Sequence, residues 1–211
     1  MAVVEIRGNT ELRMALRRFA PDLEKNLTTE MAAGLKPVVN RARGYVPAES
    51  PMSGWAGGKG TKITAKTSVF RKGSFPLYNA AVIKRGIVYS TKVTKANKNG
   101  FTSMAAIYNK SAVGAIYETA GRKNPQGQPW VGAKAGGTSK KVSRSYNPTA
   151  GATFIANLPE LVQSKQGAGR LIYRAWEEDL GRAHKIVMQA IYKTEQQFYA
   201  RSSAGTLRRA A

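Results

Sequence analysis

The sequence predicts an α+β fold: a small antiparallel or mixed β-sheet packed with a long, proline-interrupted N-terminal helix and a long C-terminal helix, with a Gly/Lys-rich inserted arm. Two apolar stripes at helical spacing, one near each end of the chain, predict the helices. Clusters of β-branched and aromatic residues between them predict the strands. At 211 residues, we expect a single domain over 1–211.

A short strand is predicted to precede the N-terminal helix, because β-prone residues occupy positions 3–6 before a break at Gly8. Asn9 or Thr10 is expected to cap the helix, and Glu11 suits the positive end of the helix dipole. The apolar stripe comprises Leu12, Leu16, Phe19, Leu23, Leu27, Met31, Leu35, Val38 and Ala42.

The basic residues Arg13, Arg17, Arg18 and Lys25 fall off the apolar stripe. Pro21 and Pro37 each remove a backbone donor, which predicts kinks or a break into two or three segments. Pro47 is expected to end the run, and residues 47–62, rich in proline and glycine, are predicted to form a loop.

Three or four antiparallel strands are predicted between Ile63 and Tyr117. The clearest β-prone runs are Ala81 to Ile83, Gly86 to Val93, Met104 to Tyr108 and Ala115 to Tyr117. Lys84-Arg85-Gly86 is expected to form a turn between the first two runs.

Residues 121–153 are predicted to form a flexible inserted arm, because Gly, Lys, Ser and Asn dominate there and few residues can pack. The chain becomes helical again from Gly169, and residues 202–211 are expected to be a frayed tail. The stripe of this C-terminal helix consists of Trp176, Leu180, Ala183, Val187, Ala190 and Thr194.

Charge is strongly unbalanced, with 34 Lys and Arg against 12 Asp and Glu, a net +22. Such an excess predicts a polyanion or an acidic partner. Cations and aromatics interleave in the middle of the chain, so a nucleic-acid surface is one interpretation; the alternative is that the aromatics pack the core while the cations face water. The residues expected near DNA, without sequence readout, are Lys59, Lys62, Lys66, Arg71, Lys72, Lys84, Arg85, Lys92 and Lys95.

No catalytic or metal-binding constellation is evident, so we expect neither an enzyme nor a cofactor. Cysteine is absent, and His184 is the single histidine. Glu177-Glu178-Asp179 is an acidic cluster, but consecutive helical side chains point in different directions and cannot converge on one ion. The N-terminal residues do not form a signal peptide and no apolar run is long enough to span a membrane, so we expect a chain made in a cytoplasm.

Four segments together resemble the tail-completion, or neck, family of long-tailed (siphovirus-type) bacteriophages. They are Leu12 to Arg43, in which Leu35-Lys36-Pro37-Val38-Val39-Asn40-Arg41-Ala42-Arg43 leads to Pro47, then Ser50-Pro51-Met52-Ser53-Gly54-Trp55, Ala115-Ile116-Tyr117-Glu118-Thr119-Ala120-Gly121, and Arg170-Leu171-Ile172-Tyr173-Arg174-Ala175-Trp176-Glu177-Glu178. The chain departs from the family pattern at the inserted arm, where a short loop is expected.

The resemblance implies a virion protein that is assembled in the host cytoplasm into a homo-oligomeric ring, sixfold or twelvefold, between connector and tail proteins, with DNA passing through and no membrane contact. The expected subunit-interface residues are Tyr117, Glu118, Arg122, Lys123, Trp130 and Trp176. For Glu118, the lone acid among 17 Lys and Arg between Ser50 and Pro159, an ion pair across the interface and an exposed charge at a strand end both remain open.

Two other functions remain open. One keeps the phage setting and makes the chain a tail terminator or the connector's stopper. The other is a nonspecific, basic nucleic-acid-binding protein, which would bind as a monomer with steep salt dependence.

Overall fold

The computed structural model describes residues 2–3, 9–55, 76–94, 103, 105–127, 147–164 and 167–210. The chain divides into two compact units. Unit 1 consists of Met1–Arg41, Tyr89–Tyr108 and Ala175–Ala211, and unit 2 consists of Ala42–Val88 and Asn109–Arg174.

The predicted α+β class, with long helices near both ends, is confirmed. Within the described residues, the helices are α1 (Asn9–Phe19), α2 (Pro21–Gly44), α3 (Ala80–Gly86), α4 (Ala112–Thr119), α5 (Ala150–Ala156) and α6 (Ile172–Ala210), with a 3-10 helix at Ser53–Trp55. The strands are β1 (Ala2–Val3), β2 (Ile87–Ser90), β3 (Ala106–Asn109), β4 (Val162–Ser164) and β5 (Gly167–Gly169). One sheet has the order β1-β3-β2, with β1 antiparallel to β3, and β4 pairs with β5 in an antiparallel ribbon.

The N-terminal apolar stripe is buried as predicted, but its phase changes at Ala20. This residue lies between α1 and α2, and Pro21 begins α2, a position where its missing N–H costs nothing. Ala20 is buried, whereas Phe19, which the pattern assigned to the stripe, is 67% exposed and lies 5.3 Å from the Arg18 guanidinium. Pro37 lies inside α2 and does not end it.

Arg13 falls off the apolar stripe but is nevertheless buried. Its side chain lies within unit 1 and donates to the Glu24 carboxylate, on the first turn of α2. Its Nη1 also donates to the Thr91 carbonyl at 2.5 Å. Because α1 ends at Phe19 and α2 begins at Pro21, a stripe drawn along one straight helix does not indicate this contact.

We predict that Glu24 makes the stability of unit 1 depend on pH. Partial burial raises the pKa of Glu24, but hydrogen bonding and charge from Arg13, with Arg17, outweigh it and hold the pKa below 4.5. A lowered pKa stabilises the fold above the unfolded-state value, and this contribution is lost as pH falls through the folded-state value. Urea unfolding of the parent chain and of Glu24→Gln at pH 7 and pH 3 measures this contribution. On acidification, the free energy of unfolding should fall less in Glu24→Gln than in the parent chain, by on the order of 1 kcal/mol. An equal loss in both proteins would contradict the prediction.

Helices α2 and α6 run antiparallel in unit 1. Three ion pairs fix their register: Asp22 with Arg201 at 2.8 Å, Glu30 with Lys193 at 2.6 Å, and Arg41 with Asp179 at 3.1 Å. Between them, the helices approach closely at Gly34, where an added Cβ would lie 2.8 Å from Ile186 Cγ2. Five residues of the predicted α6 stripe are buried, and the sixth, Leu180, is half-buried; the five are Trp176, Ala183, Val187, Ala190 and Thr194.

Gly34→Ala is expected to lower the free energy of unfolding by about 1–2 kcal/mol, because overpacking against Ile186 exceeds the gain in helix propensity. Gly44→Ala at the end of α2 is the matched control, since an added Cβ there meets nothing within 4 Å. That substitution should raise stability by up to about 1 kcal/mol. Urea unfolding measures the change in the free energy of unfolding in each variant. Equal changes in the two variants would contradict the prediction.

Two predicted strands in unit 2 are helices. Residues Ala81 to Ile83 lie in α3, and Lys84-Arg85-Gly86 forms its last turn and not a separate turn; Ala115 to Tyr117 lie in α4. Each helix has a side-chain N-cap that outweighs the β-prone composition: Asn79 Oδ1 accepts from Val82 N at 3.0 Å, and Ser111 Oγ accepts from Gly114 N at 3.1 Å.

Three further predictions need correction where the structure describes the chain. The predicted loop at 47–62 contains a 3-10 turn at Ser53–Trp55, in which the Trp55 side chain is buried. The predicted arm at 121–153 includes the start of α5, and residues 128–146 lie outside the described residues. The predicted tail at 202–211 is helical through Ala210, because α6 continues to that residue.

Candidate functional site

An aromatic cluster in unit 2 is built around Trp55. The buried Trp55 ring stacks on Tyr117 with 6.4 Å between centroids and meets Tyr78 and Phe154 edge-on at 5.2 and 5.0 Å. Its indole nitrogen donates to the Pro76 carbonyl at 2.8 Å, so the polar end of the ring is satisfied inside the core. The cluster therefore fixes the segment after α2 against α4.

The end of α2 is bound to the same unit by two contacts. The Tyr78 hydroxyl donates to the Pro47 carbonyl at 2.6 Å, and Arg43 Nη2 donates to the Ile87 carbonyl at 2.7 Å. Burial raises the pKa of Tyr78 and of Tyr117, so both phenols are neutral at physiological pH. Hydrogen bonds to backbone carbonyls and contacts between aromatic rings thus hold the segment from Arg43 to Trp55 in the core of unit 2.

Glu118, on the last turn of α4, caps the N-terminus of α6. Its Oε2 accepts from the backbone nitrogens of Leu171 at 2.6 Å and Ile172 at 3.2 Å, and its Oε1 accepts from that of Tyr173 at 3.0 Å. Glu118 is 4% exposed; burial raises its pKa, while these three donors and the charge of Arg122 oppose the rise. Because both oxygens accept N–H groups at the positive end of a helix, the ionised carboxylate fits this geometry.

Arg170 performs the converse task at the C-terminus of α4. Its buried guanidinium donates from Nη1 to the carbonyls of Tyr117 at 3.1 Å and Ala120 at 2.8 Å, and from Nε to the Pro159 carbonyl. Burial lowers the pKa of Arg170, and the charge of Glu118 opposes that change. The acid of α4 thus caps α6, and the base before α6 caps α4; we call this pair the reciprocal cap.

A glycine leaves room for the reciprocal cap. A Cβ at Gly169 would collide with the Glu118 carboxylate and lie 2.7 Å from Tyr173 Cδ2. Nearby, the Arg122 guanidinium donates to the Ala168 carbonyl and lies 4.7 Å from the centre of the Tyr173 ring. Strand β5, the start of α6 and the end of α4 are therefore joined in one hydrogen-bonded unit.

The arrangement holds structure together and presents no reactive group. The polar atoms of Glu118 and the donors described for Arg170 are engaged with backbone groups, which leaves no free acid or base there. Among the residues that the structure describes, no group of three or more His, Asp or Glu side chains could hold a metal ion. Likewise, no described helix is long and apolar enough to cross a membrane.

Three predicted interface residues lie in the interior and cannot form a subunit contact as predicted. Tyr117, Glu118 and Trp176 are buried, and both interpretations left open for Glu118 are replaced by the helix cap. Arg122 is half-buried and held by the Ala168 carbonyl, whereas Lys123 is exposed and stays a prediction. Trp130 lies outside the described residues.

The predicted DNA-facing residues are described only in part. Lys84 and Arg85 are exposed on the last turn of α3 in unit 2, and Lys92 is exposed in unit 1. Tyr78, one of the interleaved aromatics, packs in the core and is unavailable for stacking on bases. Lys59, Lys62, Lys66, Arg71, Lys72 and Lys95 lie outside the described residues.

Sequence reasoning gave no role to Trp55, Arg170 or Gly169. Trp55 stands in a glycine-rich stretch that reads as a loop, although a tryptophan there is itself a signal of burial. Arg170 stands two residues before α6, and its carbonyl partners lie 50 and 53 positions earlier, beyond any local pattern.

Comparisons with known protein families, curated proteins and solved structures find no match to this chain.

Proposed function

We propose that this chain is a structural virion protein of the neck, or head–tail junction, of a long-tailed bacteriophage. In this role it assembles as a ring, sixfold or twelvefold, that joins or completes the tail and lets DNA pass. It binds neighbouring connector and tail proteins and performs no catalysis. The contacts that close the ring are separate from the buried groups of unit 2.

One observation carries the proposal: parts of all four segments that resemble the tail-completion family lie in unit 2, namely the end of the first at Arg43, the second and third, and residues 170–174 of the fourth. Trp55 packs on Tyr117, Glu118 binds the residues after Arg170, and Arg43 binds the Ile87 carbonyl. Short matches that arise by chance have no reason to form one hydrogen-bonded core. Their convergence supports treating them as a single inherited unit.

Charge supports the same proposal. A ring around a DNA channel needs cations that bind phosphates without reading bases, because sequence-specific contacts would stall the passage of DNA. The net charge of +22, together with the exposed Lys84 and Arg85, meets this need. The same charge suits a nonspecific nucleic-acid-binding protein, which is the competing function from another class.

A nonsense mutation in the gene, made in the phage or prophage genome that carries it, tests the proposal. We expect lysates with DNA-filled heads and separate tails of normal length, and purified protein added back should restore infectious particles. Tails of uncontrolled length would assign the chain to the tail terminator instead. Normal particles at normal yield, together with tight, salt-sensitive DNA binding by the monomer, would replace the proposal with the nucleic-acid-binding function.

A further inference from the structure

Helix α6 carries a second stripe of residues besides the one that packs in unit 1. We call it the outer stripe, and its spacing alternates between four and three positions, the repeat of a helix that pairs with another helix. Its members lie about 140° around the helix from the buried stripe. They are Gly181, Lys185, Met188, Tyr192, Glu195 and Tyr199.

The outer stripe exposes large apolar side chains in a row. Met188 is 39% exposed, Tyr192 is 64% exposed and Tyr199 is 58% exposed, and they are three of the six exposed large hydrophobic residues in the described part of the chain. Single exposed apolar residues are ordinary on a protein surface, but these three, spaced four and seven positions apart, lie on one face of α6, and such grouping marks a contact.

The outer stripe is complementary to itself when two copies of α6 run antiparallel around an axis at the level of Ala190. Three pairs are then equally distant from that level: Met188 with Tyr192, Lys185 with Glu195, and Gly181 with Tyr199. A thioether meets an aromatic ring, a cation meets an anion, and a tyrosine ring meets the open space at Gly181, where a Cβ would have no neighbour within 4 Å.

A parallel arrangement lacks this complementarity, because it would place Lys185 against Lys185 and Glu195 against Glu195. Charge therefore selects the antiparallel orientation, as it does for other paired helices. The charge pattern also indicates a second copy of this chain as the partner. A different protein would need to supply an anion and a cation at the same 10-residue separation.

We propose that two copies of this chain form an antiparallel dimer through the outer stripe. The contact runs about 27 Å along α6 and closes at two copies, because the same surface serves both chains. It is thus distinct from the repeating contacts that close a ring, and it does not rest on the function proposed above.

Charge swapping tests the dimer in the full chain by sedimentation velocity across a concentration series. Lys185→Glu alone and Glu195→Lys alone should each raise the dimer Kd about tenfold or more, because each opposes like charges. The double variant should restore the Kd to within about threefold of the parent chain. Lys36→Glu, an exposed charge reversal on α2, is the matched control and should leave the Kd unchanged.

Orientation is tested by crosslinking, which the absence of native cysteine makes simple. Gly181→Cys or Tyr199→Cys alone should give little disulfide-linked dimer, because each position lies about 27 Å from its own copy along the paired helices. Mixing the two variants should give abundant linked dimer.

A parent chain that is monomeric at all concentrations, or single reversals that do not weaken its dimer, would overturn the proposal. So would crosslinks that form as well in each variant alone as in the mixture. These results would leave the neck function intact, while normal particles from the nonsense mutant would overturn that function and leave the dimer intact.

Discussion

Glu118→Ala is expected to lower the free energy of unfolding by about 3–5 kcal/mol, measured by urea denaturation at pH 7. The substitution removes a buried carboxylate that accepts three backbone N–H groups at the start of α6. Those donors are left without partners in the core, and the buried guanidinium of Arg170 loses its counter-charge. Each of these costs is large because water cannot replace the missing acceptor.

The control for this prediction is Glu177→Ala, an exposed acid on the first turns of α6, which should change stability by less than about 0.5 kcal/mol. Hydrogen exchange separates the cap from a general loss of packing. The amides of Leu171, Ile172 and Tyr173 should lose protection in Glu118→Ala more than the amides of α2 do. A cost below about 1 kcal/mol, with those amides still protected, would refute the helix-cap role.

The long helices could be predicted from the sequence because their signal repeats over many turns. From Leu16 to Val38, and from Trp176 to Thr194, the buried positions recur at helical spacing and dominate any local preference. Phe19 was misplaced because the break at Ala20 resets the phase of the stripe. No periodic pattern indicates by how much a helix turns at such a break.

The short helices could not be assigned by composition. Seven residues in α3 and eight in α4 are too few for a clear period, and both contain β-branched or aromatic residues. Asn79 and Ser111 were the usable signals, because each stands one residue before the helix it caps. Close packing also requires a glycine within α4, because a Cβ at Gly114 would collide with the Asn109 side chain.

The candidate site was partly visible in the sequence. Glu118 stands out as the lone acid in a basic region, but its partners are backbone N–H groups 53 to 55 positions away, and such groups carry no residue identity. An unusual charge therefore indicated where to look, while the pairing had to come from the fold. The prediction of an interface charge failed because an acid that is rare for its surroundings can equally serve the interior.

Trp55→Ala is expected to cost about 3–5 kcal/mol of unfolding free energy, comparable to the loss of Glu118. The ring contacts Tyr78, Tyr117 and Phe154, so its removal leaves a cavity among three aromatic side chains and leaves the Pro76 carbonyl without its indole donor. Trp55→Phe should cost less, about 1–2 kcal/mol, because it keeps much of the packing and loses the hydrogen bond.

Phe19→Ala supplies the matched control for aromatic truncation, since Phe19 is mostly exposed and should contribute less than about 0.5 kcal/mol. Urea unfolding followed by far-ultraviolet circular dichroism measures all three variants without relying on tryptophan emission. Equal costs for Trp55→Ala and Phe19→Ala would mean that the 3-10 turn does not belong to the core. A large cost confined to Trp55 would instead place the glycine-rich segment after α2 among the elements that hold unit 2 together.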